Sequence, residues 1–197
     1  QIVGNTGISL RSLTADEPKL SFDSLALLFE RAAELTEDDL LGFRHGQSRE
    51  LKRAGMLAYL AISSPTLLGS LQCLARYQRI FSEALQIDVS MLEEDGVVAW
   101  RYDVPISTIR RQYVEFAVAG IISDLRTLTG RSLYPDRIEF RHNRKSGNRE
   151  LERFFGCRVI FGSDDNRIVL KKSDLTVPLL TADDHLYRLL QRLSESA

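Results

Sequence analysis

Two hydrophobic periods alternate along this chain, a helical one in the first half and a mixture of helical and strand-like ones in the second. From Phe22 onward Leu25, Leu28, Phe29 and Ala32 recur at the i, i+3, i+4, i+7 spacing of one helix face, with Asp23 placed to cap the helix. Residues 1–20 hold no sustained period and carry the polar cluster Thr14-Ala15-Asp16-Glu17-Pro18, so they read as a leading arm. Leu40 to Arg53 resists assignment because Gly42 and Gly46 interrupt it. A second apolar stretch, Met56 to Ile62, leads to Ser63-Ser64-Pro65-Thr66. There Ser64 suits an N-cap, and Pro65 suits a first helical position, where the missing N–H has no partner to lose. The long helix that follows is expected to turn Leu67, Leu71, Leu74, Gln78, Phe81 and Leu85 inward, an apolar stripe broken once by a glutamine.

Beyond Leu85 the period shortens. Ile87 to Glu94 and Val97 to Asp103 are rich in β-formers and are joined by Asp95-Gly96, a pair suited to the positive φ angles of a two-residue type I′ turn, so a hairpin is expected. Ser107 then opens a helix carrying Tyr113, Phe116, Ala117, Gly120, Ile121, Leu125 and Leu128, closed by Gly130 as a left-handed cap. The remainder reads as a strand (137–142), a helix (148–155) stopped by Gly156, and two strands (158–161 and 167–171). A last helix runs to about Leu193 behind a capping pair, Thr181 and Asp184. The pattern predicts an α+β fold, a helical N-terminal half packed on a small mixed or antiparallel sheet of about five strands with inserted helices. Nothing in 21–197 marks a boundary, which is read as a single domain.

Composition narrows the function classes. With 44% hydrophobic and 27% charged residues, the chain has the make-up of a globular protein rather than a disordered or fibrous one. A formal net charge of −1 offers no overall field for phosphate backbones, so DNA binding by this chain alone is not expected. No apolar run reaches the roughly 18–20 residues that cross a bilayer, and no leader-like segment opens the chain, which fits a cytoplasmic protein with no membrane partner. Position 1 is Gln rather than Met, which implies a processed or shortened start. Cys73 and Cys157 each sit in apolar sequence and are expected to be reduced thiols rather than a disulfide.

Catalytic chemistry finds little support. His45, His142 and His185 match no metal-ligand spacing, Ser63 and Ser64 lack the glycines of a nucleophile elbow, and no glycine-rich phosphate loop follows a strand. No metal, no cofactor and no enzyme are expected. Asp183-Asp184-His185 could form an acid–histidine pair, but carboxylates in a first helical turn are what the helix dipole favours. The basic run Arg141-His142-Asn143-Arg144-Lys145-Ser146-Gly147-Asn148-Arg149 reads either as an anion site or as a solvated loop. Arg111 and Glu115, four apart, are either a surface pair or a buried anchor inside an apolar pocket.

Several pieces in order carry more information than any one of them. Arg44-His45-Gly46, Gly55-Met56-Leu57-Ala58-Tyr59, Ser63-Ser64-Pro65-Thr66-Leu67, Leu74-Ala75-Arg76-Tyr77 and Glu115 are followed by Leu128-Thr129-Gly130, Phe140-Arg141-His142, Phe154-Phe155-Gly156-Cys157 and Pro178-Leu179. Together they resemble the "arabinose-binding" N-terminal domain of AraC-type (AraC/XylS) bacterial transcription regulators, over about Ser21 to Leu193. The chain departs from that pattern at Ala58, where glycine is common, and at Arg158, where proline often follows the cysteine. The resemblance implies a domain that binds a small-molecule effector and often forms a homodimer, ahead of a helix-turn-helix half expected after Ala197, through which alone DNA would be bound. It also implies effectors such as amines, amino acids or lipid-like molecules rather than arabinose. The expected pocket residues are Tyr59, Tyr77, Trp100, Arg111, Tyr113, Glu115, Phe140 and His142. Aromatic walls with a charged anchor suit an organic molecule with a polar head, and Glu115 favours a cationic one. The alternatives are that these aromatics simply fill the core, that the domain is a protein–protein dimerisation module, or that an enzyme site is assembled from distant residues.

Overall fold

The computed structural model describes residues 20–48, 56–105 and 109–195, so the expected leading arm, the Gly55 motif position and the helix start at Ser107 lie outside the described residues. Within it the chain forms two compact units. The first takes residues 20–48, 104, 105 and 109–121, and the second takes 56–103 and 122–195.

The first unit is helical. Helix α1 (Phe22–Thr36) is capped by Ser21, whose hydroxyl accepts the Ser24 amide, while Asp23, expected as the cap, sits in the first turn. Helix α2 (Leu41–Gln47) contains the two glycines that made this stretch hard to read. They do not break it. A Cβ on Gly42 would lie 2.0 Å from the Gln112 carbonyl oxygen, and one on Gly46 would lie 2.2 Å from that of Phe116. The glycines therefore let α2 touch the backbone of α7 (Arg111–Thr129), and their cost in helix propensity is offset by contact.

The second unit holds a five-stranded mixed sheet in the order β1-β2-β5-β3-β4, built from β1 (Leu85–Asp88), β2 (Val97–Tyr102), β3 (Arg137–Phe140), β4 (Arg158–Phe161) and β5 (Asn166–Val169). Only β3 and β4 run parallel, and they are joined by α8 (Asn148–Phe155), which packs on β4. Both ends of that helix carry left-handed glycines, Gly147 at φ 76° and Gly156 at φ 72°. One sheet face turns Val98, Trp100, Ile138, Phe140 and Ile168 into the interior. This is the expected α+β architecture.

Three local expectations fail in instructive ways. The hairpin exists, with Ile87 opposite Trp100, but Asp95-Gly96 is not its turn. A single helical turn, α6 (Leu92–Asp95), fills the connection, and Gly96 (φ 71°) ends it. A Cβ there would also meet the Leu170 carbonyl oxygen at 2.0 Å, so glycine is required twice over. The long helix begins one residue after Thr66, which caps it through the Gly69 amide, and Ser64 instead donates to the Leu60 carbonyl. It also ends at Arg76 as α4 (Leu67–Arg76), followed by the short α5 (Gln78–Phe81), because Leu85 has already entered β1. Finally, beyond the short α9 (Lys172–Leu175), α10 (Asp184–Glu195) is capped by Asp183, which accepts the amides of His185 and Leu186. Thr181, the expected cap, donates to the Ile62 carbonyl of α3 (Met56–Ile62) at 2.6 Å. Helix α10 returns onto α3 and α4, where Tyr187 and Leu190 pack on Leu60, Cys73 and Tyr77.

Candidate functional site

The second unit contains a cleft of about 1020 Å³ along the free edge of β1. Its position follows from the strand register. The Ile87 amide donates to the side-chain oxygen of Gln78, away from β2, and the Asp103 amide donates to the Ala84 carbonyl at 2.7 Å. Ile87 and Trp100 are therefore a non-hydrogen-bonded pair, and successive side chains alternate across the sheet. Gln86 and Asp88 share one face with Ala99 and Arg101, while Leu85 and Ile87 share the other with Trp100. Residues of both faces line the cleft, so it wraps the edge of β1, with Gln72, Arg76 and Arg79 of the α4–α5 segment as its outer wall.

Seven ionisable side chains line it: Arg76, Arg79 and Arg101 against Glu83, Asp88, Asp103 and Asp165. Asp88 accepts the Ser90 amide at 2.8 Å, and its hydrogen bonds to Ser90 hold its carboxyl below the usual range, with Arg101 assisting despite a small opposing effect of burial. Arg76 lies over the Tyr77 ring, 5.3 Å from its centre. Arg79, Glu83 and Asp103 make no ion pair within 4.0 Å among the described residues. Small residues, Ala75 and Ala99, leave room between these charged groups.

The first unit holds a second polar arrangement, set among aromatic rings. Glu115 is fully buried, which removes the surface-pair reading of Arg111 and Glu115. Its oxygen lies 3.8 Å from Arg111, whose guanidinium meets Asp39 much more closely, at 2.5 Å. The neighbouring Gln112 is equally buried and fully used: its amide donates to Glu30, its side-chain oxygen accepts the Gly42 amide, and its side-chain nitrogen donates to the Asp39 carbonyl. Tyr113 meets Phe22 and Phe29 edge-on, while His45 stacks on Phe116 with ring centres 5.4 Å apart.

The eight residues expected to form one pocket are distributed over several places. Arg111, Tyr113 and Glu115 belong to the first unit, and the other five belong to the second. Of those five, only Trp100 lines the cleft. Tyr77 sits in the α3–α4–α10 cluster, Tyr59 is exposed on α3, and Phe140 stacks with His142 and Phe161 at the end of β3. The cleft residues that went unrecognised, Arg76, Arg79, Glu83, Asp88, Arg101 and Asp103, are charged and exposed. Without strand register they resemble any solvated surface. The one available signal was the glutamine interrupting the apolar stripe, since Gln78 is the residue that covers the edge of β1.

Other candidates take structural roles. Asp183 caps a helix, and His185 lies exposed in its first turn. In the basic run, Arg141, Asn143, Lys145 and Ser146 are exposed loop residues, His142, Arg144 and Gly147 are half-buried, and Asn148 and Arg149 open α8. Both cysteines are free, and burial pushes the Cys73 thiol up to about 12 and Cys157 up to about 11. Among the described residues no group of three or more His, Cys, Asp or Glu could hold a metal ion, and no helix is long and apolar enough to cross a membrane.

Comparison with known proteins places this geometry in a family. Residues 1–179 match the family described as "Arabinose-binding domain of AraC transcription regulator, N-term". The HTH-type transcriptional regulator VirS of Mycobacterium tuberculosis, in strains CDC 1551 / Oshkosh and H37Rv alike, is 30% identical over 148 residues, which is 72% of this chain and 43% of VirS. The crystal structure of the transcriptional regulator CdpR from Pseudomonas aeruginosa superposes with a TM-score of 0.65 at 18% identity, covering 98% of this chain and 60% of that one, and so shares the fold. The chain thus spans less than two thirds of either relative. Its match over 1–179, joined to the α+β architecture, makes it a member of the arabinose-binding family, the N-terminal ligand-binding domain of AraC-type transcription regulators.

Proposed function

We propose that this domain senses a small organic effector, of the amine, amino acid or lipid-like kind, and through that controls a DNA-binding half of an AraC-type regulator in the cytoplasm. The observation that carries the reading is an open cleft of about 1020 Å³, of a size that takes small molecules, within a domain of a ligand-binding family. The role is binding rather than catalysis, since Asp183 is committed to a helix cap and His142 to a ring stack. Trp100, which lines the cleft, is the expected effector contact most in keeping with this reading.

Homodimerisation is the second reading, either alongside sensing or in place of it. Leu189 and Leu193 of α10 are 41% and 52% exposed, one helical turn apart, and Tyr59 is 41% exposed on α3, the helix against which α10 packs. A thermal-shift panel of amines, amino acids and fatty acids separates the readings, because a ligand that binds only the folded state raises Tm. At least one class is expected to raise it. A flat panel from a chain that dimerises in sedimentation would favour the dimerisation module alone.

A further inference from the structure

We infer that the cleft along β1 is the effector site and that its ligand is a zwitterion, an amino acid or short peptide bearing a free carboxylate and a free ammonium. This rests on the sensing reading above and selects among the effector classes it allows.

The lining decides the class. Arg76, Arg79 and Arg101 face the same space as Glu83, Asp88, Asp103 and Asp165, and a ligand of one charge sign would meet repulsion from one set or the other. A fatty acid would find a carboxylate partner among the arginines but would lay its chain across the acids, where only Leu85, Ile87, Val89 and Trp100 offer sizeable apolar surface. A polyamine would match the acids and face three guanidinium groups. A molecule with both charges fits without leaving either set opposed.

Strand register orders the charged groups along the cleft, with Asp103 level with Ala84, Arg101 with Gln86 and Asp88 with Ala99. The Asp103 amide bonds the Ala84 carbonyl, which brings Asp103 beside the segment carrying Glu83 at the start of β1. Both carboxylates lack an ion-pair partner among the described residues, and together they form the ammonium end. Arg79, equally without an ion pair there, and Arg101, on the β2 face opposite Gln86, supply planar donor forks for the carboxylate. Asp88 is held by Ser90 at the far end and closes the site to a second anion. The cleft volume exceeds a single amino acid, so a peptide of two or three residues fits along the strand edge as well.

The test is calorimetric titration of the 197-residue chain with the proteinogenic L-amino acids, with a set of di- and tripeptides, and with spermidine and octanoate. At least one amino acid or peptide is expected to bind. Arg79→Ala, Arg101→Ala and Asp103→Asn should each weaken that binding tenfold or more with an unchanged circular dichroism spectrum and Tm. Arg141→Ala, in the exposed loop, should leave it unchanged. N-acetylation or C-amidation of the ligand should each abolish it, and which of the amino acid and peptide arms responds fixes the ligand size. Binding that survives all three cleft substitutions overturns the site but leaves sensing intact. Binding of spermidine or octanoate alone overturns the zwitterion assignment. A chain that binds no amino acid or peptide overturns the zwitterion assignment, and the thermal-shift panel of amines and fatty acids then decides separately whether sensing stands.

Discussion

The guanidinium of Arg126, on α7, donates to the carbonyl oxygen of Phe154 at 2.8 Å, and to that of Phe155 at 3.1 Å. These are carbonyls of the last turn of α8, which that helix leaves without partners, and Arg126 spends its Nε–H on the Leu133 carbonyl at 3.0 Å. The same group lies over the rings of Tyr134 and Phe154, 5.3 and 4.9 Å from their centres. One side chain thus fastens the helix between β3 and β4 to the long helix.

Replacing Arg126 tests this fastening. Arg126→Ala strands three carbonyls in a partly buried place, for an expected loss of about 2–4 kcal/mol in urea unfolding. Arg126→Lys should recover less than half of that, since an ammonium keeps the charge but not the planar fork that reaches Leu133 and Phe154 together. Equal stability for the two variants would mean that charge, not geometry, matters.

The glycines of α2 give a second prediction with a built-in contrast. Ala in place of Gly normally stabilises a helix by about 1 kcal/mol. At Gly42 and Gly46 the new methyl would meet a backbone carbonyl at 2.0 and 2.2 Å, a contact the packed helix cannot avoid by side-chain movement. Gly42→Ala and Gly46→Ala are expected to destabilise by about 1–3 kcal/mol despite the propensity gain. At Gly69, in α4, the nearest atom to a new Cβ is the Thr66 hydroxyl at 3.6 Å, so Gly69→Ala should raise Tm. Opposite signs for the α2 and α4 substitutions in thermal unfolding are the result expected.

These cases also show what could be read in the sequence and what could not. Periodicity identified the elements because burial imposes it: α8 and β4 match their expected bounds, 148–155 and 158–161, and Gly130 and Gly156 end helices with positive φ. Caps were less legible, since Ser64 and Thr66, or Thr181 and Asp183, are chemically equivalent candidates two residues apart. Only a distant partner, such as the Ile62 carbonyl that engages Thr181, decides between them. Family membership was legible from ordered motifs, most of which have structural duties. The cleft was not, because its chemistry depends on which charged residues a strand register turns the same way.

The thiols predict a pH dependence. Burial raises both cysteines above the ordinary value of 9.0, Cys73 to about 12 and Cys157 to about 11, with nearby Arg76 and Arg126 opposing. The folded state therefore holds these protons when the unfolded chain has lost them. The contribution is fully present below pH 9 and is lost as pH rises from there towards 11 and 12. Stability measured by urea unfolding should fall between pH 9 and 11, and the fall should be shallower in Cys73→Ala. Iodoacetamide at pH 8 should leave both thiols of the native chain essentially unlabelled and modify both in urea.

Gln78 yields the last prediction. β1 is an edge strand, and the amide of Ile87 points outward from the sheet, where an unpaired N–H invites another strand. The side-chain oxygen of Gln78 takes that amide, as a neighbouring strand's carbonyl would. Gln78→Ala removes the acceptor and is expected to cost about 1 kcal/mol, to speed hydrogen exchange at Ile87 by tenfold or more, and to promote association through the bared edge. Gln78→Glu keeps an acceptor oxygen in place and should restore protection at Ile87. Were the alanine and glutamate variants to exchange equally fast, the edge would be guarded by the bulk of α5 rather than by this hydrogen bond.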